Sequence, residues 1–338
     1  MPTNRQVLLR SRPQGIPRAE HFELAETPLP PLQPGQFRIR NRFLSVDPAM
    51  RGWVSAVANY SKPVGIGEVM RAEAAGEVCE TRHPEFAIGD RVTGYFGWQH
   101  YAVSDGTNVG WRVPPDFDLP LSAALGVLGM NGLTAYFGLL DVGQPKAGDT
   151  VVVSTAAGAV GSCVGQLARI AGCRAVGIAG GAHKAALCRD EFGFDAAIDY
   201  KGATDLDAAL RDACPRGIDV YFDNTAGAIS DAVAPQLNVG ARVAVCGTAS
   251  VSSWDPWPQG PRVERHLLVK RARMQGFLIF DYQPRFDEAR RRLADWVRRG
   301  LIRYREDFLD GIDAAPDAIA GLYRGENLGK RLIRLDPY

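Results

Sequence analysis

Two kinds of hydrophobic pattern follow one another along this chain. Up to about residue 125 apolar and polar positions alternate in short runs, such as "QFRIRNRFLSV" (36–46), "AAGEVCE" (74–80) and "DRVTGYFGWQHYAV" (90–103), with Pro and Gly between them. A period of two broken by turn residues predicts short strands in a compact, barrel-like β-rich unit. Beyond "LSAALGVLGMNGLTAYFGLLDVG" (121–143) the pattern changes. Continuous apolar runs, "TVVVST", "RAVGIAG", "AAIDY", "IDVYFDNT" and "GARVAVCG", now alternate with segments of helical period, "AVGSCVGQLARIAG", "HKAALCRDEFG", "DLDAALRDAC" and "ISDAVAPQL". That alternation predicts a doubly wound parallel sheet of Rossmann type, an α/β architecture. The helix "RFDEARRRLADWVRRG" closes it near residue 305, and the strand-like tail "GENLGKRLIRLDPY" is placed to return to the first sheet. The expected organisation is therefore 1–127 for the β-rich unit, 128–305 for the Rossmann unit and 306–338 for the return.

Composition narrows the class of function. In 338 residues, 39 basic and 38 acidic side chains leave a formal charge of +1, too little for a field that would hold nucleic acid or an anionic membrane. A small-molecule partner is the expectation. No apolar run is long enough to span a bilayer, and the start "MPTNRQVLLR" lacks the apolar core of a secretory signal, so a cytoplasmic protein is expected. The six cysteines (Cys79, Cys163, Cys173, Cys188, Cys214, Cys246) include no Cys-x-x-Cys pair and read as small buried hydrophobes. The basic stretch "RVERHLLVKRAR" suits a solvated helix better than an RNA surface.

The candidate chemistry begins at "STAAGAVGS". Gly158 and Gly161 take the second and third positions of a G-x-G-x-x-G turn between strand and helix, with Ala159 and Val160 between them and Ala156 where the first glycine would stand. Gly158 lets backbone approach a pyrophosphate, Gly161 lets the helix pack on the strand, and the helix N-terminus attracts the phosphates. At the end of the second strand, Ala179, Gly180 and Gly181 offer no carboxylate to a ribose 2′-hydroxyl, while Lys184 follows closely. This favours NADP over NAD, unless Lys184 is an ordinary solvated helix residue. Tyr200, after the next strand, can lend its hydroxyl to the same phosphate.

Taken together, "LGVLGMNGLTAYFGLLDVGQPKAGDTVVVSTAAGAVGS", "FDNTAG", "GWQHYAV", "VDPAMRG" and "ENLGK" resemble the zinc-independent medium-chain dehydrogenase/reductase family, of the leukotriene B4 dehydrogenase, prostaglandin reductase and curcumin reductase type. The resemblance runs along essentially the whole chain. It implies a GroES-like domain beside the Rossmann domain, NADPH as cofactor, and reduction of the C=C bond of α,β-unsaturated aldehydes or ketones. Carried over by position, it implies cofactor contacts at Asn131, at Asn224, along Cys246, Gly247, Thr248 and Ser250, at the strand end Phe277, Leu278 and Ile279, and at Asn327. It also implies a homodimer.

Related enzymes bind zinc, and their ligand positions are filled here by Leu44, Ala72 and Met130, which cannot build a tetrahedral site. Hydride delivery to an activated alkene needs no metal: the β-carbon is already electrophilic, and the protein must orient it and stabilise the enolate oxygen. Two departures from the family pattern touch the substrate side. Ala49 stands where the family's V-D-P-Y-M-R has Tyr, next to Met50, which implies a roomier pocket. Ser252 stands where a nicotinamide-side Tyr is usual, which leaves Tyr60 and Tyr282 as candidate donors and substrate contacts. A quinone reductase and a protein that binds NADPH without catalysis remain as alternatives.

Overall fold

In the computed structural model, residues 3–56, 60–251, 256 and 258–335 are described. Ser252 lies outside them. Along the chain the strands and helices are β1 (Thr3–Leu9), β2 (Phe22–Pro28), β3 (Phe37–Ser45), α1 (Met50–Trp53), β4 (Ala74–Thr81), β5 (Arg91–Gly94), β6 (Tyr101–Ser104) and β7 (Val109–Arg112). Then come α2 (Met130–Phe137), β8 (Thr150–Ser154), α3 (Ala159–Ile170), β9 (Arg174–Ala179), α4 (Ala182–Asp190), β10 (Ala196–Asp199), α5 (Leu206–Ala213), β11 (Ile218–Asp223), α6 (Gly227–Val233) and β12 (Leu237–Val245). The last are α7 (Glu264–Lys270), β13 (Arg273–Gly276), α8 (Phe286–Arg298), β14 (Glu306–Asp310), α9 (Ala315–Arg324) and β15 (Lys330–Arg334). They form two compact units, Met1–Leu125 with Glu306–Tyr338, and Gly126–Arg305.

The first unit is the β-rich one. Its main sheet runs β14-β15-β3-β4-β5-β7, with β6 also on β3, and β1 pairs β2 in a separate ribbon. β3 is the hub: it pairs β4 from Phe37 to Leu44, β6 from Phe37 to Arg40, and β15 from Phe43 to Ser45. Sharing β3 among three neighbours curls the sheet around one core, which holds Phe37, Ile39, Leu44, Met50, Ala72 and Trp98 fully buried. Trp98 donates its indole N–H to the Ser45 carbonyl at 3.0 Å, so the largest core side chain is also polar-satisfied.

The second unit carries a six-stranded parallel sheet in the order β10-β9-β8-β11-β12-β13. All five residues of β8 are buried, the mark of a strand covered on both faces, as its unbroken apolar run predicts. On α3, Gly161, Val164, Leu167 and Ala168 are buried on one face as the helical period requires, but so are Cys163 and Gly165 to either side of it. A Cβ on Gly165 would come within 1.9 Å of the Phe194 ring, so the helix sits too close to its neighbours for a side chain there. Among the described residues no helix is long and apolar enough to cross a membrane.

The strand expected to reach Ile279 stops earlier. β13 ends at Gly276, and Ile279 opens a tight helical turn. Four cysteines are buried as expected and Cys246 is partly so, but Cys79 is exposed on β4. Helix α7 buries none of its residues, in keeping with a solvated reading of its basic stretch.

Candidate functional site

The order of the parallel sheet reverses between β8 and β11, and ligands of open α/β sheets bind outside the carboxyl ends of strands at such a switch point. Here the backbone of Asn224 donates to Ser154 Oγ at 2.8 Å and its side-chain amide donates to the Ser154 carbonyl at 2.7 Å. Asn224 therefore staples the ends of β11 and β8, and the turn Thr155–Gly158 rises from that staple.

The turn shows why Ala156 is tolerated. The left-handed residue is Thr155, at φ 55°, and not Ala156. Ala156 still donates its N–H to the Ile178 carbonyl at 3.0 Å and is fully buried beside Gly177, whose Cβ would come within 2.7 Å of the Ala156 methyl. The position thus demands a small residue rather than a glycine. A β-branched residue in the left-handed region costs on the order of 1–3 kcal/mol, and such strain gathers at ligand-binding turns.

Gly158 caps α3 in extended conformation with no side chain supplying a cap, and no acidic residue stands in the first turn. By contrast, Asp205 caps α5 by accepting from the Ala208 amide. The twelve-residue α3 thus turns uncapped first-turn amides and the positive end of its dipole to the switch point, which suits a pyrophosphate.

A second group forms at the ends of β9 and β10, paired as Asp199 with Ala179. A Cβ on Gly180 would lie 3.0 Å from the Tyr200 ring and 3.1 Å from Lys201 Cε, so both side chains lie over that glycine. Lys201 escaped the sequence reading. It stands beside Gly180 through strand pairing, although 21 positions away, and a parallel register is the signal that would have found it. Lys184 sits in the first turn of α4.

One expectation needs correction. The end of β9 has no carboxylate of its own, but β10 delivers Asp199 to the same place. Its Oδ1 accepts the Gly181 amide at 2.7 Å and the Lys201 amide at 3.0 Å. The Gly181 amide, ahead of the Lys201 and Gly202 amides, holds this carboxyl below the usual carboxylate range. Asp199 thus fixes the loop at the ends of β9 and β10.

The residues after β11 and β12 close the other side of the switch point. Asp223 is buried and fully employed, accepting from Tyr221 Oη, the Thr225 and Ala226 amides and Ser230 Oγ at 2.6–3.1 Å. The Cys246 and Gly247 amides reach the Asp223 carbonyl, and Ser250 Oγ donates to the Thr225 carbonyl at 2.7 Å. A Cβ on Gly247 would lie 3.1 Å from the Asn224 carbonyl, so Cys246, Gly247, Thr248 and Ser250 are drawn to Asn224. Burial, ahead of the Asp223 charge, pushes the Cys246 thiol up to about 12, so it is a neutral wall and not a nucleophile.

Phe277 meets Phe222 edge-on at 6.2 Å, and Tyr282 stacks on Phe137 at 4.7 Å. Leu278 and Ile279 lie between them in sequence, on the short link beyond β13. Asn131 is the second residue of α2.

In the β-rich unit, Met50 is fully buried in the core. Tyr60 is 49% exposed. Asn327 spends its amide N–H on the Gly329 carbonyl at 3.0 Å, shaping the turn into β15. Leu44 and Ala72 are fully buried core residues. Met130 begins α2, and among the described residues no group of three or more His, Cys, Asp or Glu could hold a metal ion.

Comparison with known proteins fits this geometry. Residues 5–110 match the family described as the N-terminal domain of oxidoreductases, and residues 159–295 match the one described as zinc-binding dehydrogenase. The chain is 44% identical to the NADPH-dependent curcumin reductase of Escherichia coli, covering 98% of this chain and 97% of that one. It is 37% identical to the NADP-dependent 2-alkenal reductase of Nicotiana tabacum, over 98% and 97%. Among solved structures, CurA from Vibrio vulnificus in complex with NADPH superposes with a TM-score of 0.92 at 45% identity, covering 99% of this chain and 100% of that one. The chain belongs to the zinc-independent medium-chain dehydrogenase/reductase family, among its NADP-dependent reductases.

Proposed function

We propose that the protein reduces the C=C bond of α,β-unsaturated aldehydes and ketones with NADPH. The observation that carries the cofactor half is the group of Gly180, Tyr200 and Lys201 at the ends of β9 and β10, where the Rossmann arrangement places the adenosine ribose. Full-length likeness to a 2-alkenal reductase and to a curcumin reductase carries the substrate half.

On this reading the first-turn amides of α3, from Ala159, Val160 and Gly161, hold the pyrophosphate behind Gly158. Lys184, Tyr200 and Lys201 hold the 2′-phosphate, to which Gly180 gives close approach. Asn131, Asn224, the Cys246–Ser250 loop and the Phe277–Ile279 link frame the nicotinamide half, and Asn327, in the turn into β15, is kept as a further cofactor contact. When bound, the cofactor supplies hydride. The chain's own residues orient the enone, keep water from it and stabilise the enolate oxygen. Tyr60 gives its phenolic proton to the α-carbon and recovers one from solvent. Tyr282, stacked on Phe137, is a ring that can wall the substrate.

The test is NADPH oxidation, with NADH in parallel, against enals, enones, quinones and simple aldehydes. Enals and enones should be turned over with NADPH preferred. Turnover of simple aldehydes alone, or of quinones alone, would refute the alkene-reductase reading. In the same assay Lys201→Ala and Lys184→Ala should each raise KM for NADPH by about tenfold, the worth of one charge-assisted contact, and leave KM for NADH nearly unchanged. Equal effects on both cofactors would remove the residue from the phosphate site.

We further propose a homodimer built on the edge of the parallel sheet. β13 is the terminal strand of that sheet and all four of its residues are exposed, while Leu268 on the neighbouring α7 is 79% exposed, alongside exposed Val269. An open strand edge beside apolar side chains is a template for a symmetric partner. Sedimentation should give about twice the chain mass, and Met274→Glu should shift it toward the monomer. A wild-type monomer at micromolar concentration would rule the interface out.

A further inference from the structure

We infer that Trp53 supplies, through its indole N–H, the hydrogen bond that receives the substrate's carbonyl oxygen, an inference resting on the enone-reductase reading above. Trp53 ends α1, the short helix of the "VDPAMRGW" segment, and is only 6% exposed. Its Nε1 is buried and has no hydrogen-bond acceptor among the described residues. Buried indole N–H groups are nearly always paired, as Trp98 in the same unit is, so the Trp53 donor calls for an acceptor from outside the described residues.

The surroundings suit a conjugated carbonyl compound. The Trp53 ring meets the partly buried Tyr95 ring edge-on at 6.2 Å, and the Arg71 guanidinium lies 5.7 Å from its centroid. Arg71 is itself held by donating to Ser61 Oγ at 2.5 Å. Burial, ahead of the nearby Glu73, Asp47 and Tyr60 charges, pushes the Tyr95 hydroxyl up, so Tyr95 stays a neutral aromatic wall. Ala49 precedes Trp53 by four residues and accepts its backbone N–H at 3.2 Å, so the two side chains share one face of the turn. Ala49 and Tyr95 both pack against the core cluster that contains Trp53. On the face it shares with the small Ala49, Trp53 presents a flat ring and a single donor.

The chemistry balances without ionising the indole. Hydride adds to the β-carbon, the C=C π pair becomes the enolate, and its oxygen accepts the Trp53 N–H bond. The α-carbon then takes a proton from Tyr60, which is restored from water. NADPH is oxidised and the alkene reduced by two electrons. Trp53 is a catalytic residue in the sense of an oxyanion donor, and a neutral one.

Trp53→Phe keeps the ring that Tyr95 and Arg71 touch and deletes the N–H. On a 2-alkenal that the wild type reduces, kcat/KM should fall by roughly ten- to a hundredfold, the range expected for one oxyanion donor, while KM for NADPH stays unchanged. Calorimetric titration at 25 °C with the saturated ketone cyclohexanone should show a weaker Kd in the variant, by about tenfold for one such hydrogen bond. Equal kcat/KM and equal Kd in the two proteins would overturn the inference, as would a parallel rise in KM for NADPH. If the wild type reduces no activated alkene, the functional reading fails by itself, and the ketone titration still decides whether Trp53 binds a carbonyl.

Discussion

Gly161→Val should cost the protein both its cofactor and several degrees of stability, while Gly158→Ala should weaken NADPH binding and leave the melting temperature almost unmoved. A Cβ on Gly161 would meet the Thr155 carbonyl oxygen at 2.3 Å and the Ala156 Cα at 2.9 Å. Both are backbone atoms, and Thr155 already holds a positive φ, so the turn has little freedom to yield. Overpacking of this kind costs about 1–3 kcal/mol, and each kcal/mol lowers Tm by roughly 2–4 °C in a domain of this size. The Val side chain would push α3 off β8 and carry the first-turn amides away from the pyrophosphate. At Gly158 the added Cβ stands 3.2 Å from Thr155 Cγ2 and from its carbonyl oxygen, a contact that small shifts relieve. The loss expected there is of the close backbone approach that a glycine at this position gives a pyrophosphate. Thermal melts and NADPH fluorescence titrations separate the two cases. A Gly161→Val protein with wild-type Tm would contradict the packing argument.

The same turn shows what the sequence makes legible. β8 and α3 are visible because burial on both faces requires an unbroken apolar run and a helix needs its 3.6-residue period. The strain is not visible: nothing in "STAAGAVGS" says that Thr155, and not Ala156, takes the left-handed conformation, since that follows from Ala156 continuing the ladder to Ile178. Lys201 and Asp199 were hidden for a related reason. Their importance comes from the register that pairs Asp199 with Ala179, which local pattern does not encode. That Met50 turns into the core, next to Ala49 at its edge, is likewise not written in the local motif. The indole of Trp53 was overlooked because hydrogen-bond satisfaction is a tertiary property. Which atoms of these segments are spent in hydrogen bonds, and which are left over, follows only from the fold.

Lys330→Met should be the most destabilising single change in the β-rich unit. The Lys330 ammonium, its side chain only 4% exposed, donates to Asp47 Oδ1 and Ser45 Oγ at 2.6 Å each and to the Val46 carbonyl at 3.2 Å. Ser45 Oγ in turn donates to Asp47 Oδ2. The resemblance flagged "ENLGK" and "VDPAMRG" as separate motifs, and this triad joins them, clamping β15 to the segment that leads into α1. Tyr323 reinforces the clamp by donating to the Pro48 carbonyl at 3.0 Å. Removing one partner of a buried pair strands the other charge and costs about 3–5 kcal/mol, whereas replacing both with apolar or neutral groups is often close to neutral. Lys330→Met should therefore lower Tm by roughly 6–20 °C at 2–4 °C per kcal/mol. Adding Asp47→Asn should recover a substantial part of that loss, because the neutral amide no longer needs the cation. Because the clamp sets where α1 begins, enone turnover should fall in the single variant at temperatures where it is still folded, with KM for NADPH little changed. Additive losses in the double variant would show that Lys330 and Asp47 are not energetically coupled, and the segment before Trp53 would then owe its position to Tyr323 and the core alone.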